Sequence, residues 1–162
     1  MRRGRLVTLR EFRRADAELI SSWTPDPFND FGPVRAAGLR ESSIGRLVVV
    51  RNGDDRPVGT VSWHEVHHGP NPESTAWNIG IELVPEARGR GMGSEAQRLL
   101  AQHLFATTPV NRVEATTDVE NAAEQGALAR AGFTREGVLR GAQFRASRWH
   151  DVVVWSVLRG EM

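Results

Sequence analysis

Arg88, Gly89, Arg90, Gly91, Met92, Gly93 and Ser94 place three alternating glycines and two fixed positive charges in one short run. Ahead of them Trp77, Ile79, Ile81 and Leu83 alternate with Asn78, Gly80 and Glu82, a period of two that predicts a half-buried strand. Pro85 stops that strand, because it has no N–H to give a ladder. From Met92 the spacing turns helical: Ala96, Leu99, Leu100, His103 and Leu104 share a face, with Glu95, Gln97, Arg98 and Gln102 largely outside it. The order is therefore strand, glycine-rich turn, helix. A helix start leaves backbone N–H groups unpaired and carries partial positive charge, and glycines let the chain approach an anion closely. The run predicts a phosphate-binding turn, with Arg88 and Arg90 adding charge.

The type of phosphate narrows by composition. A Walker loop needs Lys followed by Ser or Thr, and the chain has no lysine. The rival is a dinucleotide fingerprint: Gly91-x-Gly93-x-x-Ala96 has the required form, with Glu114 about 20 residues further on. Against it, the turn comes mid-chain after an antiparallel hairpin, and its strand ends in Pro. A metal reading also arises, since His64-Glu65-x-x-His68 has the spacing of a zinc helix. A strand pattern precedes it and Pro70 and Pro72 follow, so a solvated loop is expected and no metal.

The elements that must position this run follow from patterning. Residues 5–10 alternate as a first strand, and residues 13–23 recur as a helix through Ala15, Leu19, Ile20 and Trp23. Residues 24–33 are turn chemistry throughout, yet carry Phe28 and Phe31; residues 34–39 form a short second helix. Strands are expected over 47–50 and 57–64, joined by the turn Asn52-Gly53-Asp54-Asp55. Residues 112–117 form a further strand. Asn121 then caps a helix over 122–131, with Glu124 completing a box-like pattern and Gly132 ending it. Strands over 133–139 and 152–158 close the chain, joined by a polar stretch. Hairpins first and helical crossovers later predict a mixed α/β sheet.

Composition bounds the rest. A chain of 162 residues is expected to be one domain, residues 1–162, with a proper core. Apolar and charged fractions of 40% and 25% are ordinary for a globular protein. The formal net charge of +1 gives no ground for a nucleic-acid partner. The absence of cysteine excludes disulfides and a cysteine nucleophile. No apolar run of signal-peptide or membrane-spanning length is present, so a cytoplasmic setting away from membranes is expected.

Arg88-x-x-Gly91-x-Gly93, after a strand ending Leu83-Val84-Pro85-Glu86, resembles the acetyl-CoA diphosphate loop of the GNAT N-acetyltransferases. A second block agrees: Asn121-Ala122-Ala123 into Leu128, then Arg130-Ala131-Gly132-Phe133, then Glu136-Gly137-Val138-Leu139-Arg140. Together with Trp149-His150-Asp151 before Val152-Val153-Val154-Trp155, it is similar to the RimJ/RimL-like branch, the ribosomal-protein N-terminal acetyltransferases. The resemblance spans nearly the whole chain. It implies the GNAT fold, a mixed sheet with antiparallel N-terminal strands and about four helices. The implied function is transfer of acetyl from acetyl-CoA to an amine by direct attack, the acceptor being a protein N-terminus or a small-molecule amine.

The resemblance also implies roles. Residues 88–94 would hold the diphosphate, a strand N–H near Leu83 or Val84 would polarise the thioester, and Asn121 would contact the pantetheine arm or the acceptor. Phe28 and Phe31 would line the acceptor pocket. Glu82 and Glu114, on adjacent strands, are the base candidates, with Asp118 behind them, because an ammonium near pKa 10 has no lone pair for attack. The chain departs from the branch where a Ser commonly stands three positions after Asn121; here it is Glu124. It also has no tyrosine, the acid used by many relatives, so the general acid stays unassigned. Homodimers are common in the family. The rival classes are a non-catalytic acyl-CoA-binding module and an NAD(P)-binding oxidoreductase.

Overall fold

A computed structural model describes residues 1–23, 26–28 and 44–162. Eight strands form one sheet: β1 (Arg2–Arg3), β2 (Val7–Arg10), β3 (Ile44–Arg51), β4 (Pro57–His67), β5 (Thr75–Leu83), β6 (Arg112–Asp118), β7 (Thr134–Arg145) and β8 (Arg148–Leu158). Among the described residues there are three α-helices, α1 (Arg14–Ser21), α2 (Met92–Thr107) and α3 (Ala122–Ala131). The short helix read over 34–39 lies outside the described residues. The sheet order is β1-β2-β3-β4-β5-β6-β8-β7, and every neighbouring pair is antiparallel except β5–β6. That mixed sheet is not the parallel sheet a dinucleotide fold requires. No helix among the described residues is long and apolar enough to cross a membrane.

The one parallel pair decides the shape of the site. β5 pairs with β4 along its whole length, from Thr75 opposite His67 to Leu83 opposite Gly59. β6 pairs with β8 along its whole length, from Arg112 opposite Leu158 to Asp118 opposite Val152. Between them β5 and β6 join only at Trp77–Val113, Asn78–Glu114 and Ile79–Ala115. Past Ile79 the two strands part.

The core lies between the sheet and α2. Val7, Leu9, Val61, Ile79, Val113 and Val157 meet Ala96, Leu100 and Leu104, all almost fully buried. Gly93, in the first turn of α2, packs on this sheet face; a Cβ there would stand 3.4 Å from Leu83 Cδ1. Alternation along β5 then turns Asn78, Gly80 and Glu82 to the opposite face.

Several elements exceed their sequence-based limits. β4 continues to His67, and the polar stretch after residue 139 is a long hairpin of β7 and β8. A turn with Ala146 and Ser147 at φ 48° and 62° closes it, although neither residue type announces that conformation. Glu95 and Gln97, expected off the apolar face of α2, are buried. Glu95 Oε1 accepts the Arg5 N–H at 2.9 Å, and Oε2 accepts those of Leu6 and Val7 at 2.6 and 2.8 Å. One carboxylate thereby ties the N-terminal segment to the first turn of α2. Glu95→Ala is expected to lower unfolding free energy by roughly 3 kcal/mol, since it strands three donors of a charged acceptor. Urea denaturation measures it, and a loss below about 0.5 kcal/mol would mean that water replaces the carboxylate.

Candidate active site

The site begins where β5 ends. Val84 N–H donates to the Val58 carbonyl at 2.9 Å, so that residue completes the β4 ladder. Only alternate residues of an antiparallel strand face a given neighbour. Glu82 therefore shares the β4-facing backbone edge with Val84, and Leu83 turns its N–H and carbonyl toward the parting from β6. The Leu83 carbonyl accepts from Arg88 Nε at 2.9 Å. Of the two expected positions, Leu83 is the one aimed into the parting, and the Val84 N–H is already engaged.

A single turn, Pro85–Ala87, leads from β5 into the glycine-rich run. Gly89 and Gly91 take φ of 69° and 80°, a region that costs other L-residues about 1–2 kcal/mol. Gly91 is the N-cap of α2, and its carbonyl accepts the Glu95 N–H at 3.1 Å. Met92, Gly93 and Ser94 form the first turn, whose N–H groups have no intrahelical acceptor. Arg90 and Gly89 are exposed beside them. Two polar atoms near this turn are buried without a partner among the described residues, Ser94 Oγ and Gln97 Nε2. An anion with further hydrogen-bonding groups answers both features. A groove of about 360 Å³ continues along Gly91, Ser94 and Arg98 to Arg130.

Asn121 caps α3: its Oδ1 accepts the Glu124 N–H at 3.1 Å, which leaves its amide nitrogen for a ligand. Glu124 lies beside Asp26 and Gln97. Burial, then the Asp26 charge, push its carboxyl up to about 7. The Gln97 amide favours the charged form. Asp26 in turn pairs with Arg88 Nη1 at 2.7 Å. Contacts thus run from Leu83 through Arg88 to Asp26, whose charge acts on Glu124 in the first turn of α3.

On the opposite face of the sheet the carboxylates differ sharply. Glu82 is partly buried, and among the described residues no hydrogen bond or ion pair holds its carboxylate. Glu114 is buried and takes Arg112 Nε at 2.8 Å, His68 Nε2 at 2.9 Å and Asn78 Nδ2 at 3.4 Å. Burial pushes its carboxyl up, but the Arg112 and His68 donors outweigh that and hold it below its usual range. His68 lies in the exposed loop after β4 and reaches this carboxylate from there, and no metal cluster occurs among the described residues. Glu114 is also not placed to hold a ribose. It lines a groove of about 690 Å³ with Ala76, Thr116, Glu136, Leu139 and Val154.

Asp118 is fully engaged. Its Oδ1 accepts the Glu120 N–H at 2.8 Å, and its Oδ2 meets Arg145 Nη2 and, at 2.9 Å, His150 Nδ1. Arg145 also donates to the Pro27 carbonyl at 2.9 Å and lies under the Phe28 ring, 5.4 Å from its centroid. The β7–β8 hairpin therefore braces residues 26–28 across the mouth of the parting. Phe31 lies outside the described residues. The sequence assigns no site role to Asp26, Gln97, Arg145 or His150. Only the Arg in an otherwise unremarkable hairpin and the Gln three residues after Ser94 hinted at them.

Residues 6–134 match the acetyltransferase (GNAT) domain. The chain is 26% identical over 171 residues to the uncharacterized N-acetyltransferase p20 of Bacillus licheniformis, covering 96% of this chain and 94% of that protein. Among solved structures it is similar to Mycobacterium smegmatis RimJ in complex with CoA-disulfide, with a TM-score of 0.65 and 25% identity over 74% of this chain and 55% of the other. The fold also matches spermidine N-acetyltransferase from Vibrio cholerae, in complex with CoA and spermine, with a TM-score of 0.75 and 19% identity over 96% and 97% of the two chains.

The geometry at Gly91 yields a direct test. A side chain there would enter at φ 80° and only 3.4 Å from Leu6 Cδ1, with its charge at the helix start. Gly91→Glu is expected to weaken CoA binding by at least about 100-fold, from the added negative charge and lost approach, while circular dichroism stays native. Retained affinity by calorimetry would show that phosphate binds elsewhere.

Proposed function

The chain belongs to the GNAT acetyltransferase family and is an acyltransferase that uses acetyl-CoA, and from that premise we propose that it moves acetyl directly to a primary amine. The amine is the α-amine of a protein N-terminus or that of a small molecule. The observation that carries this reading is the parting of β5 from β6 beside the glycine-rich start of α2. Acetyl-CoA supplies a thioester open to attack by an uncharged amine.

The chain's own groups divide the work. First-turn N–H groups of Met92, Gly93 and Ser94 and the charges of Arg88 and Arg90 receive the diphosphate. Leu83 N–H, aimed into the parting, is assigned to the thioester oxygen, where charge grows during attack. Asn121 offers its amide nitrogen from the other wall. An alkylammonium near pKa 10 must lose a proton before it can attack. Glu82 is the group placed to receive that proton, directly or through water, because its carboxylate is unengaged by described residues. Glu114 and Asp118 are held as ions by Arg112 and Arg145 and serve structure. Phe28, braced by Arg145, borders the acceptor's entry.

Both acceptor classes have support in the similar proteins, a ribosomal-branch enzyme and a polyamine enzyme, so a panel decides. CoA thiol release is measured with acetyl-CoA and peptide N-termini, amino acids, amino sugars and polyamines. Turnover with one class, and the acetylated amine by mass spectrometry, is the expected result. Tight acetyl-CoA binding without turnover on any amine would favour a non-catalytic binding module. Glu82→Gln is expected to lower kcat about 100-fold, the usual reach of a general base, with acetyl-CoA affinity unchanged. Glu114→Gln should leave kcat within a few fold; the reverse ranking would move the base to β6.

A further inference from the structure

Three arginines from distant parts of the chain line one groove of about 360 Å³, which begins at Gly91 and Ser94. Arg98 follows Ser94 by one turn of α2, so both side chains lie on one face of that helix. Arg130 comes from the last turn of α3. Its guanidinium lies over Gly126, one turn back, where a Cβ would stand 3.2 Å from Nη1. Arg5 comes from the N-terminal segment. Glu95 accepts its backbone N–H at 2.9 Å, and those of Leu6 and Val7 beside it, so α2 itself fixes where Arg5 stands.

Guanidiniums gathered on one small groove repel one another until an anion lies between them. Glu95 is the one carboxylate among the described residues that line it, and its two oxygens are taken up by the three backbone donors. Ser94 Oγ, buried and without a partner among the described residues, adds a hydroxyl where the groove begins. The place of the groove is specific too. Gly93 packs toward Leu83 at the end of β5, whereas Gly91 packs toward Leu6 of the N-terminal segment. Arg130 stands at the far end of α3 from Asn121, roughly 13 Å along the axis. The groove thus leads away from the acyl end of the site. Beyond its diphosphate, CoA carries a ribose with a phosphate monoester, a group of nearly two negative charges at neutral pH.

We propose that Arg5, Arg98 and Arg130 form a phosphate-monoester site that reads the ribose phosphate of CoA. The N-terminal segment is then a wall of the cofactor site, and the chain selects free acyl-CoA over acyl thioesters that lack this group. This rests on the acetyl-CoA site proposed above.

Calorimetric titration with acetyl-CoA and with acetyl-dephospho-CoA, which differ by this phosphate alone, tests the site without turnover. Acetyl-CoA is expected to bind about 10- to 100-fold more tightly, the reach of a few charge-assisted contacts at an exposed groove. Arg98→Ala and Arg130→Ala should each lower acetyl-CoA affinity about 3- to 10-fold and leave affinity for the dephospho ligand within about twofold. Arg5→Ala should do the same, because its backbone bond to Glu95 is kept. The triple variant should bind both ligands alike, and added salt should narrow the wild-type difference.

Equal affinity of the wild type for the two ligands would overturn the proposal. So would variants that lose both affinities in parallel, the mark of a merely structural role, or a preference that survives in the triple variant. A wild-type chain that binds neither ligand would instead remove the acetyl-CoA reading beneath it, so the two failures are told apart.

Discussion

Two backbone edges that face each other without pairing are the constraint on which this protein depends. β5 is committed to β4 as far as Leu83, and β6 to β8 as far as Asp118, yet they share only three residue pairs. Backbone N–H and C=O groups need partners when they leave water. A ligand bearing amides and carbonyls, threaded between these edges, supplies what the strands do not give each other. The glycine-rich start of α2 follows the end of β5, and on the proposed reading it offers a positive terminus to phosphate.

The rest of the structure keeps that gap open and aimed. Glu95 ties the N-terminal segment to α2, so the helix start cannot drift from the sheet. Asp118, Arg145 and His150 tie β6 to the β7–β8 hairpin and, through Pro27 and Phe28, to the segment across the mouth. Arg88 and Asp26 tie that segment back to the end of β5. Removing one partner from a buried pair leaves an uncompensated charge, which costs about 3–5 kcal/mol. The Asp118–Arg145 tie is of this buried kind, and its carboxyl is held below the usual range. Glu82 stands outside such pairs among the described residues.

Much of this was legible in the sequence where spacing is local. The alternation from Trp77 to Leu83, Pro85, the glycines and the helical face of Leu99, Leu100 and Leu104 lie within a few turns of each other. They marked the strand, loop and helix correctly, as Asn121 marked the start of α3. What could not be read depends on partners distant in the chain. Glu95 looked like a surface residue because its three donors lie near the N-terminus. Glu114 looked like a free carboxylate because Asn78 and His68 reach it from other strands and loops. Residues 141–151 read as a polar joining stretch because a hairpin closed by Ala146 and Ser147 carries no glycine signal at its turn.

Amide hydrogen exchange with and without acetyl-CoA tests the account most directly. Slowed exchange is expected at Leu83 and over Met92 to Ser94 when acetyl-CoA is added. Val84, already bonded to Val58, should barely change. Protection at Val84 and none at Leu83, or protection confined to the groove beside Glu114, would contradict the claim that acetyl-CoA occupies the gap between β5 and β6.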